Sequence, residues 1–200
     1  MNISLENVGK KFGRLWVFRA IHATFSTGVP TAVLGGNGSG KSTLLRLIAG
    51  QMLPSEGEIR HGKLPIEDWF AGLCWVSPTL ELIEEMTLKE LLHFHRSFRS
   101  LSLSTPEIIE GLDLQTATHK QIRYFSSGMK QRLRLGLAFY DAQANVLLLD
   151  EPTTNLDKHY VNWYRRMLEE QSHNRLIIIA SNVPEEYEEI AQQKIFLNKN

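Results

Sequence analysis

The stretch of this chain best equipped for chemistry is Gly35-Gly36-Asn37-Gly38-Ser39-Gly40-Lys41-Ser42, which satisfies the spacing G-x-x-x-x-G-K-[ST] at every specified position. Its glycines leave the backbone free to turn N–H groups toward one anion with no side chain in the way. The apolar run Ser42 to Ala49 that follows reads as a helix, and its N-terminal end brings partial positive charge to the same point. Lys41 then adds a full charge at the outer phosphates of a nucleotide triphosphate, Ser42 an oxygen ligand for Mg²⁺, and Thr43 a contact at the α-phosphate. A turn that merely joined a strand to a helix would need neither the lysine nor the hydroxyl beside it.

A second constellation lies at Val146-Leu147-Leu148-Leu149-Asp150-Glu151, where two carboxylates close a continuous apolar run. The C-terminal end of a buried strand is where open α/β sheets bind ligands. Asp150 suits Mg²⁺, held through water, and Glu151 suits a base that orients or deprotonates the water attacking a γ-phosphate. Both would sit near the phosphate loop if the two strands are neighbours in the sheet. Taken alone, the pair could equally be a solvated turn that begins the next connection.

The elements that must position these groups can be read from periodicity. Thr31 to Leu34 is a short strand entering the glycine loop, so strand, loop and helix form one unit. Ile3, Leu5 and Val8 alternate with polar residues, as does Val17 to Phe25, which predicts two antiparallel strands joined through a turn at Gly13. Glu58 to His61 and Leu73 to Val76 are further strand candidates. Leu88 to Phe98, Pro106 to Gly111 and Gly128 to Tyr140 read as helices. Asn145 to Leu149, apolar from Val146 on, and Leu176 to Ala180 have the continuous pattern of strands covered on both faces in a parallel sheet, and Lys158 to Gln171 is an amphipathic helix between them. The expected fold is α/β, with a mainly parallel sheet, N-terminal antiparallel strands and an inserted α-helical subdomain. One domain is expected over 1–200, its catalytic lobe built from 1–77 and 144–200 and its helical lobe from 78–143.

Composition narrows the partners. Lys plus Arg and Asp plus Glu number 22 each, so no net field favours nucleic acid or an anionic surface, and phosphate binding must be local. The longest strongly apolar runs fall far short of the roughly 20 residues of a membrane-spanning helix. The N-terminus lacks the pattern of a secretory signal, and the single Cys74 has no internal disulfide partner, so a cytoplasmic setting is expected. The seven histidines show no metal-ligand spacing.

With Phe125-Ser126-Ser127-Gly128-Met129-Lys130-Gln131-Arg132 added to these motifs, nearly the whole chain resembles the nucleotide-binding domain of ABC ATPases, which have a P-loop NTPase core. This stretch stands where the family carries LSGGQ, matching it at Ser126 and Gly128 and departing at Phe125, Ser127 and Met129. The resemblance implies that Ser126 and Gly128 reach the ATP bound by a second subunit, although Ser-Ser-Gly could also be only the N-cap of the next helix. Pro152-Thr153-Thr154-Asn155-Leu156-Asp157 resembles the family's D-loop, which would put Asp157 at the dimer interface. Phe12 falls where an aromatic ring stacks on adenine, with Trp16 a second candidate and ordinary packing the alternative for each.

Two departures from the family are visible. Where it carries a Gln that closes a strand near Mg²⁺, this chain has Pro78, which offers no polar side chain; Ser77 or water would have to substitute. Where it carries a His near the γ-phosphate, this chain has Asn182, able to donate a hydrogen bond but not to carry the imidazole's proton. Slow hydrolysis is therefore expected, since one lost transition-state donor costs on the order of 10²–10³ in rate.

The resemblance thus implies an ATP-binding subunit of a transporter, using ATP and Mg²⁺ in a head-to-tail dimer. It would drive a separate transmembrane permease subunit from the cytoplasmic face of the membrane, and would bind no nucleic acid. The Leu80 to Glu90 segment would be its coupling surface, and the chain's short length looks more like exporter-type than sugar-importer ATPases. The alternative is a nucleotide-dependent switch in which hydrolysis is vestigial. A DNA- or ribosome-acting ABC ATPase fits less well, because those usually carry a coiled-coil insertion or tandem nucleotide domains.

Overall fold

The structure is a computed structural model that describes residues 1–62 and 65–198. In chain order its elements are β1 (Asn2–Phe12), β2 (Leu15–Ser26), β3 (Thr31–Leu34), α1 (Lys41–Ile48), β4 (Glu56–Arg60), α2 (Ile66–Ala71) and β5 (Leu73–Val76). There follow α3 (Leu88–Arg96), α4 (Thr105–Gly111), α5 (Ser127–Phe139), β6 (Val146–Asp150), α6 (Lys158–Ser172), β7 (Leu176–Ala180) and β8 (Gln193–Phe196).

Two sheets organise the chain. The antiparallel one has the order β2-β1-β4, and its hairpin turns at Gly13, whose φ of 59° suits glycine. The parallel one has the order β5-β6-β7-β3-β8. Its central strands β3, β6 and β7 are buried at every position, which is why their sequences are continuous apolar runs and not alternating ones.

Alternate residues of those strands feed two cores. Val146, Leu148, Leu176 and Ile178 pack with Leu44 and Leu45 of α1 and with Ile3, Leu5 and Phe25 of the antiparallel sheet. Leu147, Leu149, Ile177 and Ile179 face the other way, onto the helices of the middle of the chain and onto Trp163, Tyr164 and Leu168 of α6. α3 and α4 each open with a complete capping box, Thr87 with Glu90 and Ser104 with Glu107, which fixes where each helix begins.

The mixed α/β architecture expected from periodicity is the one observed, with three corrections. β3 and β6 are not neighbours, because β7 lies between them, paired with both. α2 and the edge strand β8 are two further elements that periodicity does not predict. α2 is barely more than a turn with one fully buried residue, Trp69, and β8 alternates in burial without an apolar run to announce it. Among the described residues, no helix is long and apolar enough to cross a membrane.

Candidate functional site

The glycine loop leaves β3 and ends at α1 as the motif requires. Gly40, the residue before the helix, has φ 97°, and a Cβ there would lie 2.4 Å from Val17 Cγ1 and 2.8 Å from Phe18 Cδ1. A side chain at Gly35 would meet the Leu197 carbonyl at 2.4 Å. Both positions are closed to anything larger by neighbouring elements, which hold the loop curled around its own interior. α1 has no side-chain cap and no acidic residue in its first turn, so its leading N–H groups and positive end remain available to an anion.

Lys41 is buried, and its Nζ donates to the Gly35 carbonyl at 2.7 Å and the Gly36 carbonyl at 3.5 Å, so the ammonium sits inside the loop. Ser39 Oγ is buried without a hydrogen-bond partner among the described residues. The loop, Ser42, Thr43, Val17 and Glu151 enclose a cleft of about 430 Å³. An ammonium, an uncapped helix start and an orphaned hydroxyl around one glycine cradle are the donor set a triphosphate requires.

The acidic strand end meets this cleft despite the intervening β7: α1 packs on β6 as well as on β7, and Glu151 lines the cleft beside Ser42. Burial pushes the Asp150 carboxyl above its usual range; the Ser42 hydroxyl beside it acts in the opposite direction, Glu151 adds to the rise, and Lys41 opposes it. A divalent cation held between Ser42 and Asp150 would favour the ionised carboxylate, and a hydroxyl with a carboxylate is suitable oxygen chemistry for magnesium.

Glu151 itself is exposed and has φ 45°, an uncommon backbone for a side chain of its size. Its amide donates to the Ala180 carbonyl at 2.9 Å, which pins the start of the turn to β7. The same turn is held at two further points. Gln131 Nε2 donates to the Pro152 carbonyl at 2.7 Å, and Glu186 Oε1 accepts from Thr153 N at 2.7 Å and Thr153 Oγ1 at 2.5 Å. Asn182 also reaches the phosphate loop, its Nδ2 donating to Asn37 Oδ1 at 3.1 Å. Asn37, Glu151, Asn182 and Glu186 border a second recess of about 290 Å³, which shares Asn37 and Glu151 with the first.

Residues 18–154 match the ABC transporter family. The chain belongs to that family. Among its relatives, the sulfate/thiosulfate import ATP-binding protein CysA of Mesostigma viride is 31% identical, the alignment covering 99% of this chain and 60% of CysA. The cytochrome c biogenesis ATP-binding export protein CcmA of Nitrosococcus oceani is 30% identical over 85% of this chain and 80% of its own length. The fold is that of the dimeric ATP-binding cassette MJ0796 in a post-hydrolysis state bound to ADP and Pi, with a TM-score of 0.83 at 19% identity, covering 99% of this chain and 96% of that one. The chain spans about three fifths of the length of several curated relatives it matches.

Against the ABC pattern, the remaining residues singled out in the sequence lie away from the cleft in this single chain. Ser126 is the N-cap of α5, its hydroxyl accepting from Met129 N at 3.2 Å, and a Cβ on Gly128 would lie 2.8 Å from the Asn155 carbonyl. Asp157 is the N-cap of α6, accepting from His159 N at 2.9 Å and Tyr160 N at 3.2 Å. Phe12 is exposed beside the hairpin turn with the Lys10 ammonium 5.4 Å from its ring centroid, and Trp16 is flanked by Lys11 and Arg19. None of these lines the cleft around Lys41. Ser77, the expected substitute beside Pro78, is buried and its hydroxyl is 3.0 Å from that of Thr79.

Three residues at the site were not singled out from the sequence. Val17 lines the cleft from a β-bulge in β2, Thr153 is held by Glu186, and Glu186 is 2% exposed. Glu186 stands in the run Glu185-Glu186-Tyr187-Glu188-Glu189, which reads as a solvated face, and nothing in the run marks the one carboxylate that is buried.

Proposed function

We propose that this chain is the ATP-binding subunit of an ABC-type transporter, hydrolysing ATP in a head-to-tail dimer to drive a separate membrane-spanning partner from the cytoplasmic face. The observation that carries the reading is the meeting of Lys41, the uncapped start of α1 and Glu151 around one cleft, with Asp150 beside Ser42. When bound, Mg-ATP supplies the γ-phosphate bond that is broken. The N–H groups from Gly36 to Thr43 would bind the phosphate chain, Lys41 Nζ would exchange its loop carbonyls for phosphate oxygens, and Ser42 with Asp150 would hold the magnesium. Glu151 takes a proton from the attacking water at a carboxylate oxygen, and the Asn182 amide steadies negative charge developing on the γ-phosphate.

The remaining roles follow from pairing two copies. Ser126 and Gly128 at the start of α5 would face the nucleotide held by the other copy, with Asp157 at the interface and Phe12 stacked on adenine. Residues 78–143 would then act as the lobe that transmits opening and closing. An apolar groove of about 400 Å³, walled by Trp75, Leu80, Leu82, Ile83 and Phe94, supports this assignment, because Leu80 and Ile83 are partly exposed on the segment expected to meet a membrane partner.

A second reading, a nucleotide-dependent switch with vestigial hydrolysis, is favoured by Pro78 and by the engagement of Ser77 with Thr79. Calorimetry with Mg-ATP and steady-state phosphate release, on wild type and Lys41→Ala, separate the two. The transport ATPase predicts binding heat and phosphate release that Lys41→Ala abolishes. Heat without release above the variant's level selects the switch, and absence of heat from the wild type removes both.

A further inference from the structure

Glu186 is a carboxylate in an unusual situation. It sits on the short turn Pro184–Glu186 after β7, 2% exposed, with the Tyr164 hydroxyl donating to its backbone carbonyl at 3.1 Å. Oε1 accepts from both donors of Thr153, the amide and the hydroxyl, while Oε2 is buried near the Ser181 hydroxyl and has no hydrogen-bond partner among the described residues. Burying a carboxylate is costly unless it is hydrogen-bonded, and the bonds that meet this one at Oε1 both come from a single residue, Thr153. What it does secure is the turn that begins at Glu151.

That turn is where the geometry of the base is decided. Glu151 holds φ 45°, and its amide is fixed to Ala180 O, so the backbone on its N-terminal side is set by the sheet. On its C-terminal side Thr153 has both polar groups in the grip of Glu186, and Thr154 N closes the turn on the Glu151 carbonyl at 3.2 Å. Glu151, Thr153, Thr154, Asn182 and Glu186 border one recess, so the clamp is built beside the cleft where the base must act.

We propose that Glu186 is a positioning residue for hydrolysis: through Thr153 it holds the Glu151 turn in the conformation that aims the carboxylate at the attacking water. The proposal rests on the assignment of Glu151 as base in an ATP-hydrolysing site. A residue that only stabilised the fold would lower apparent kcat and the stoichiometry of ATP binding by the same factor, through loss of folded protein, and would leave turnover per nucleotide-binding site unchanged. A positioning residue lowers the turnover of folded, nucleotide-bound protein, since small misplacements of a reacting group cost up to about 100-fold.

The test is steady-state phosphate release by the full chain, with KM for Mg-ATP and kcat per ATP site titrated by calorimetry resolved for wild type, Glu186→Ala, Glu186→Gln and Thr153→Val. Expected are a kcat about 10- to 100-fold lower for Glu186→Ala with KM within about threefold, and recovery to within about threefold of wild type for Glu186→Gln, whose amide oxygen still accepts both bonds. Should Glu186→Ala not fold, Thr153→Val decides. It keeps the backbone bond, loses the hydroxyl bond, and should lower kcat severalfold with nucleotide affinity intact. Wild-type kcat in the alanine variant, or in Thr153→Val when alanine does not fold, overturns the clamp, as does a rise in KM matching the loss in kcat. A wild type that releases no phosphate instead brings down the hydrolytic reading on which the clamp depends.

Discussion

The Asn182 side-chain amide donates to the Asn37 side-chain carbonyl at 3.1 Å, joining the residue just beyond β7 to the middle of the phosphate loop. Both residues are exposed, so the bond contributes little to folding. Its interest is positional, because the ABC resemblance expects a His here that approaches the γ-phosphate, and the Asn amide is already at the loop. Asn182→Ala should therefore lower phosphate release by roughly 10²–10³ while leaving the melting temperature nearly unchanged. Asn182→His should raise release severalfold above wild type. Equal rates in all three proteins would remove this position from the chemistry.

Glu151→Gln tests the base directly. The substitution is close to isosteric and leaves the Glu151 amide bond to Ala180 intact, so the turn should survive. ATP affinity should stay within about threefold, while turnover falls by about 10²–10⁴ through loss of the proton acceptor. Because hydrolysis is what would separate the two copies, the variant should accumulate as a dimer in Mg-ATP, visible by light scattering. Wild-type turnover in this variant would leave the reaction to another group.

Legibility from sequence followed the kind of signal each residue carries. The phosphate loop was readable because both its backbone shape and its chemistry are written in residue type: glycines where neighbours intrude, as at Gly35 and Gly40, and a lysine and hydroxyl where an anion is held. The acidic strand end was readable because β6 is apolar until the two carboxylates. The nearness of the two depended in the sequence on β3 and β6 being neighbours; β7 separates them, and the site forms all the same. Strand order is fixed by packing across the whole sheet, and no local pattern records it. Glu186 was invisible for a related reason: four acidic residues in a row of five look alike until the fold buries one of them. Ser126 and Asp157 stand between these cases. Their types fit a cap and an interface equally, and in the single chain both are caps.

Asp157 offers a way to separate those two roles. As N-cap of α6 it accepts two backbone bonds, from His159 and Tyr160, in a helix whose Trp163, Tyr164 and Leu168 are buried in the core behind the sheet. Removing the cap by Asp157→Ala should cost about 0.5–2 kcal/mol without nucleotide present. For a chain of this size each kcal/mol lowers the melting temperature by about 2–4 °C. Asp157→Ser keeps a capping oxygen and should restore most of that stability. If Asp157 also acts across a dimer, the serine variant will melt like wild type yet release phosphate more slowly, because its shorter, uncharged side chain caps the helix without reaching a second copy. A serine variant equal to wild type in both stability and turnover would confine Asp157 to its cap.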